Sequence, residues 1–338
     1  MLRLAFMVLL FFFWGCTDDT GTRLQRFLMK GNEEVKKGND AQAIRYYRAA
    51  LELDSCFADS WNNLGTVYFR QQNYEGALET YNNAINCRRD YTEAYLNRAN
   101  TWYELKQFHN ALADLARVEE QVPDTAIVSF SRGLIYTQLR DYDNALAAFR
   151  KALRFEPDNA EIIINMGTIH YYQNNMDSAR ELLTRAMQID PDQANARNAI
   201  ALVEASAGAY DKAMKHIGDA LRLKTRDPYF LNNRGYIRLL NGDIESALAD
   251  IDASILEDPY NPWAYRNKGI YYLKKGNFPE AIRLLTRAAD MSELVEMVNY
   301  YLGEAYLANR EKEQGCAYFR KARERKEITE KEYLRRCQ

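Results

Sequence analysis

Residues able to do chemistry are few in this chain and widely scattered. The three histidines, His109, His170 and His216, stand dozens of residues apart, and no His or Cys pair has the close spacing of zinc ligands. No glycine-rich loop follows a strand pattern, so no phosphate cradle is expected. Without a nucleophile beside a base, or paired ligands, the chain is not expected to be an enzyme, and no cofactor or metal is expected. Five cysteines remain: Cys16, Cys56, Cys87, Cys316 and Cys337. Cys16 is the unusual one, because it ends the apolar run Leu4–Trp14 and Gly15 and precedes the acids Asp18 and Asp19.

At 338 residues the chain has room for two ordinary domains or one elongated array. Its 45 basic and 47 acidic residues nearly cancel, leaving no basic excess, so nucleic acid is not an expected partner. Only 7 prolines argue against long disordered linkers.

The elements that must position any site are set by a period of 34 residues counted from Leu24. The eighth residue of each unit is small: Gly31, Gly65, Ala99, Gly133, Gly167, Ala201, Gly235, Gly269 and Gly303. The twentieth is Ala from Ala43 to Ala281, then Gly315, and the twenty-seventh is Ala in seven of nine units. The twenty-fourth is large and apolar throughout, from Tyr47 to Phe319. Small residues let two helices approach, and the large one fills the space between them. Turn residues such as "KKGND" and "LNGDI" divide the units, and Pro123, Pro157, Pro191 and Pro259 stop second helices. Nine such units run from Leu24 to Thr329 without a gap.

This helix–turn–helix pattern resembles the tetratricopeptide repeat. The resemblance implies an all-α solenoid, a right-handed superhelix whose first helices line a concave groove. Residues 330–338, with Thr329 and Glu332 at capping-box spacing, are expected as a polar C-terminal capping helix.

Repeat positions then sort the candidates. Position 7, normally apolar and inward, holds Arg98, Arg132, Arg234 and Lys268, and position 23 holds Asp114 and Asp250 in two of those units. A buried guanidinium must be paired, so Arg98–Asp114 and Arg234–Asp250 are expected as structural ion pairs. Each acid is also placed to reach the next unit's cation, Arg132 or Lys268. The competing use of these cations is to grip an acidic ligand. Asn63, Asn97, Asn165, Asn233 and Asn267 recur at position 6, either bonding a bound peptide's backbone or bonding helix to helix. Relatives that grip acidic chaperone tails carry Lys and Arg at positions 2, 5 and 6. The third unit instead has Glu93 and Asn97, so that clamp is absent.

The resemblance places positions 2, 5, 9, 12 and 13 on the groove. They are mostly polar in the first three units (Gln25, Asn32, Asp59, Asn62, Arg70, Glu93, Asn100, Glu104). From the fourth unit they include Phe130, Leu134, Ile164, Tyr171, Tyr172, Tyr229, Tyr236, Leu239, Trp263, Arg266, Ile270 and Tyr300. Such a strip is either packing between units or an apolar surface for a partner.

The N-terminus is a short signal. Eleven helical residues rise about 16 Å, half the hydrocarbon core. Residues 1–15 resemble a bacterial lipoprotein signal peptide, with Cys16 as the lipidated first residue of the mature chain, although Phe13 and Trp14 depart from that pattern. A plain signal peptide and an uncleaved anchor are the alternatives. Asp18 and Asp19 resemble the acidic stretch that sends some lipoproteins of Bacteroidota to the outer leaflet, or form a solvated linker. Residues 16–23 would be a short tether, and the expected location is the outer membrane, on its periplasmic or cell-surface side. Export permits disulfides. Cys316 and Cys337 lie about equally far from a turn near Lys326–Glu327 and are a candidate pair, whereas Cys56 and Cys87, at non-equivalent positions, are expected as buried thiols.

Two functions fit. One is a membrane-anchored scaffold that holds a protein or peptide segment in its groove for envelope assembly, secretion or remodelling. The other is a glycan-binding lipoprotein in which Tyr and Trp faces stack on sugars, with Trp263 beside Arg266 as the focus.

Overall fold

The computed structural model describes residues 19–337. Cys16, Asp18 and the apolar run before them lie outside the described residues, as does Gln338. Among the described residues the chain is entirely helical, with nineteen α-helices and no strand.

A first compact unit ends at Phe155. It contains α1 (Thr20–Lys36), α2 (Asp40–Leu53), α3 (Ala58–Arg70), α4 (Tyr74–Cys87), α5 (Thr92–Glu104), α6 (Phe108–Gln121), α7 (Ala126–Gln138) and α8 (Tyr142–Phe155). The second begins at Glu156. Its first six helices are α9 (Ala160–Tyr172), α10 (Met176–Ile189), α11 (Ala194–Ser206), α12 (Tyr210–Leu223), α13 (Pro228–Asn241) and α14 (Ile244–Glu257). It continues with α15 (Pro262–Lys274), α16 (Phe278–Met291), α17 (Val298–Ala308), α18 (Lys312–Glu324) and α19 (Glu330–Cys337). Within each unit, helices pack as successive antiparallel pairs, one pair per repeat.

The core follows the periodic residues. A Cβ added at Gly65 would lie 2.6 Å from the Tyr81 ring, at Gly133 2.5 Å from Phe149, and at Gly269 2.6 Å from Leu285. The eighth residue of each repeat is therefore small because the twenty-fourth residue of the same repeat fills its place. Tyr47, Tyr81, Leu115, Phe149, Leu183, Ile217, Ile251, Leu285 and Phe319 are all buried. The alanines at position 20, from Ala43 to Ala281, are fully buried, so nothing larger fits between the paired helices. Each pair turns on a residue with positive φ, a glycine at Gly38, Gly208, Gly242 and Gly276 and a longer side chain at Gln72, Lys106, Arg140, Asn174 and Arg310.

The ninth pair departs from the strict register. Its first helix is expected to start near Glu296, but α17 begins at Val298, after an αL turn at Met297. Val295 is drawn into the core, and Arg266 donates to the Glu296 carbonyl at 3.0 Å, which holds this linker down against α15. No described helix is long and apolar enough to cross a membrane.

Candidate functional site

The structure sorts the candidate residues into those used up by the fold and those left facing outward. Arg98 donates to both oxygens of Asp114, from Nε at 2.8 Å and Nη2 at 2.6 Å. Arg234 grips Asp250 in the same forked manner, and Arg238 adds a third bond to Asp250 at 2.6 Å. Asp114 and Asp250 are buried, so both pairs are internal ties. The expected reach to the next unit does not occur. Arg132 instead pairs with Glu119 at 2.7 Å and Lys268 with Asp252 at 2.8 Å.

The asparagines are also committed. Asn97 donates to Asn62, Asn233 to Asn198 (both 2.9 Å) and Asn267 to Asn232 (2.7 Å), linking the first helices of adjacent repeats. Asn63 reaches Asn32 at 2.9 Å, and Asn165 bonds the Glu161 carbonyl of its own helix. Asn233 is thus an inter-repeat tie rather than a groove contact. Asp59, a polar groove position of the first unit, receives both Nη atoms of Arg88 at 3.1 Å and the Tyr91 hydroxyl at 2.7 Å. Burial raises the Asp59 carboxyl pKa, but these donors outweigh it and hold the group below its ordinary range.

The cysteines require a correction. Cys56 and Cys87 are joined in a disulfide with their Cα atoms 5.2 Å apart, and are not buried thiols. The linker after α2 passes beside the last residue of α4, so non-equivalent repeat positions meet. Cys316 and Cys337 are also joined, with Cα atoms 5.5 Å apart.

Of the apolar strip, Ile164, Leu239 and Ile270 are buried and belong to the core. Phe130 and Leu134 lie in the first unit. Phe130 packs on Phe149 with ring centres 5.8 Å apart, and Leu134 lines a 40 Å³ cavity with Ala99, Tyr103 and Leu115. Tyr300 is covered by Arg336 of α19, which donates to its hydroxyl at 3.0 Å.

What stays together is a constellation in the second unit. Tyr171, Tyr236 and Trp263 are half-buried, and Tyr172, Tyr229 and Leu240 are exposed. Arg266 is buried rather than open: Nε and Nη2 donate to the Asn267 side-chain oxygen, Nη1 donates to the Glu296 carbonyl, and the guanidinium lies 4.9 Å from the Tyr236 ring centre. The Trp263 indole N–H donates to Glu296 at 2.8 Å, and its ring meets Tyr229 edge-on. Burial, together with the neighbouring Tyr236, pushes the Tyr301 phenol pKa upward. Burial likewise raises the Tyr171 phenol, opposed by the nearby Ser206 hydroxyl. These two phenols therefore stay protonated at neutral pH, as neutral groups able to donate or accept.

Tyr301 and Glu296 are the members that the position rules do not reach, and Leu240, at groove position 13, is a member that the sequence reading passed over. A signal for Tyr301 was present, since tyrosine replaces the asparagine of position 6 in the last repeat. Glu296 enters only because its linker is displaced. The arrangement offers neutral aromatic faces and phenols on a rigid helical support, suited to binding. Among the described residues, no group of three or more His, Cys, Asp or Glu side chains converges to hold a metal ion.

Family models described as tetratricopeptide repeat match residues 28–94, 96–160 and 266–327, and a second such model matches 136–203. None of the curated proteins matches the sequence. Among solved structures, the chain is similar to Pseudomonas aeruginosa pilF at 21% identity and a TM-score of 0.52, covering 60% of this chain and 93% of that one. It is also similar to a tetratricopeptide repeat protein of Parabacteroides merdae at 20% identity and a TM-score of 0.45, covering 84% and 99%. Yeast Tom70 matches at 14% identity and a TM-score of 0.43, covering 90% and 92%.

Proposed function

The chain belongs to the tetratricopeptide repeat family, and from that premise we propose that it is an envelope scaffold whose second compact unit holds a protein segment. The observation that carries this reading is the aromatic constellation of Tyr171, Tyr172, Tyr229, Tyr236, Leu240 and Trp263, set on first helices at groove positions. The Arg266 guanidinium and the Trp263 indole N–H are already bonded inside the fold, so the exposed rings are available for an apolar anchor without stranding those groups. The first unit, with Asp59 and Asn62 tied within it, serves as a spacer.

Anchoring through Cys16 remains part of the proposal. Two disulfides among the described cysteines fit an oxidising compartment, since thiols in a reducing one stay unpaired. Several acyl chains on Cys16 would give stable attachment. Helix α1 begins at Thr20, so the tether is shorter than the sequence register suggests: only three residues separate Cys16 from the first helix, at most about 11 Å of extended chain, keeping the first repeat close to the membrane.

The glycan reading loses its focus, because Arg266 is buried and the Trp263 indole N–H is spent on Glu296. Tyr236→Ala combined with Trp263→Ala tests the scaffold reading. Each ring contributes about 1.5–3 kcal/mol when buried by a partner, so binding should weaken roughly a hundredfold or more. Envelope extracts passed over the immobilised wild type should yield a protein that the folded double variant fails to retain. Equal retention by both would make these rings structural core.

A further inference from the structure

The ninth repeat already shows what one end of the proposed groove accepts. By register Tyr300 and Glu304 occupy groove positions 5 and 9 of that repeat, and both are taken by the chain's own Arg336. Its guanidinium pairs with Glu304 through Nη1, donates to the Tyr300 hydroxyl through Nη2 at 3.0 Å, and lies 5.3 Å from the Tyr300 ring centre and 5.2 Å from that of Phe319. The helix that delivers it, α19, is eight residues long and has no buried residue. Its ties to the rest of the chain include the Cys316–Cys337 disulfide and contacts of Arg323 with Glu330 and the Tyr333 ring. A helix this short is not stable by itself, so its place depends on these attachments.

We infer that Tyr300, Glu304 and the Phe319 face form an arginine-binding subsite at the end of the groove, held by α19 until Cys316–Cys337 opens and then taken by an arginine-bearing segment of the protein partner. The inference rests on the scaffold reading above. Opening is a two-electron exchange with a dithiol reductant: its two thiols become a disulfide, and Cys316 and Cys337 each gain a hydrogen. The chemistry of the occupant is fixed by what sits there now. A planar cation bonds the Glu304 carboxylate and the Tyr300 phenol, lies over two rings, and keeps only a longer contact of 3.4 Å to Glu332 of its own helix, a set which a lysine cannot reproduce.

The test uses the full chain carrying Cys316→Ser and Cys337→Ser, which leaves Cys56–Cys87 intact. The probe is a fluorescent, end-blocked copy of residues 329–336, with a second copy in which the residue matching Arg336 is alanine. Hydrogen exchange over residues 330–337 should rise at least tenfold in the Ser variant. Anisotropy should show the arginine copy binding that variant at least tenfold more tightly than the disulfide-linked chain, and the alanine copy binding at least tenfold more weakly. Unchanged exchange would overturn the latch, and equal binding of both copies, or no binding, would overturn the subsite. Partner retention by the Tyr236 and Trp263 face is a separate readout, so a failed subsite and a failed scaffold reading are distinguishable.

Discussion

Asp250 carries more of the second unit's internal charge than any single contact conveys. Arg234 and Arg238 both converge on it, and its carboxylate is buried. Asp250→Ala leaves part-buried Arg234 without its anion and Arg238 with only the more distant Asp243, at a cost of about 3 kcal/mol. Thermal or urea unfolding should show that loss, whereas a change of a few tenths would mean that solvent carries both cations. The Arg234–Asp250 tie was legible in the sequence because positions 7 and 23 face each other across one helix pair. Arg238 was not, since position 11 reaches the same acid only through a long flexible stem. Arg266 marks the same limit from the other side. Its position faces the groove, yet a linker displaced by buried Val295 brings the Glu296 carbonyl down onto it.

Helix pairs in a linear array are stabilised mostly by their neighbours, so terminal pairs have half the support of internal ones. Both disulfides lie near chain ends, Cys56–Cys87 tying the linker after α2 to the end of α4 and Cys316–Cys337 tying α19 to α18. Replacing Cys56 and Cys87 with alanine removes a cross-link of a kind typically worth about 2–4 kcal/mol. Hydrogen exchange should then accelerate in α1–α4 and stay unchanged in α10–α16. A uniform rise along the chain would show that the array unfolds as one cooperative body. The pairing of helices was readable from the 34-residue period, because a small residue facing a large side chain leaves a fixed mark on every repeat. The Cys56–Cys87 bond was not, because it joins two different repeat positions that meet only when a linker passes a helix end.

At the scale of the whole molecule, the proposal joins a short lipid tether to a polar first unit and an aromatic second unit. Cys16→Ser removes the thioether on which the anchor depends, and the variant should leave the membrane fraction for the soluble one. Unchanged fractionation would favour an uncleaved apolar anchor. The central claim concerns the second unit's face and is most directly tested by photo-crosslinking in envelopes. A benzophenone side chain placed in turn at the exposed positions of Tyr172 and Leu240 should capture one and the same protein. The same group at Leu256, an apolar position 76% exposed but outside the groove register, should not capture it. Capture from Leu256 alone, or from neither groove position, would contradict the account.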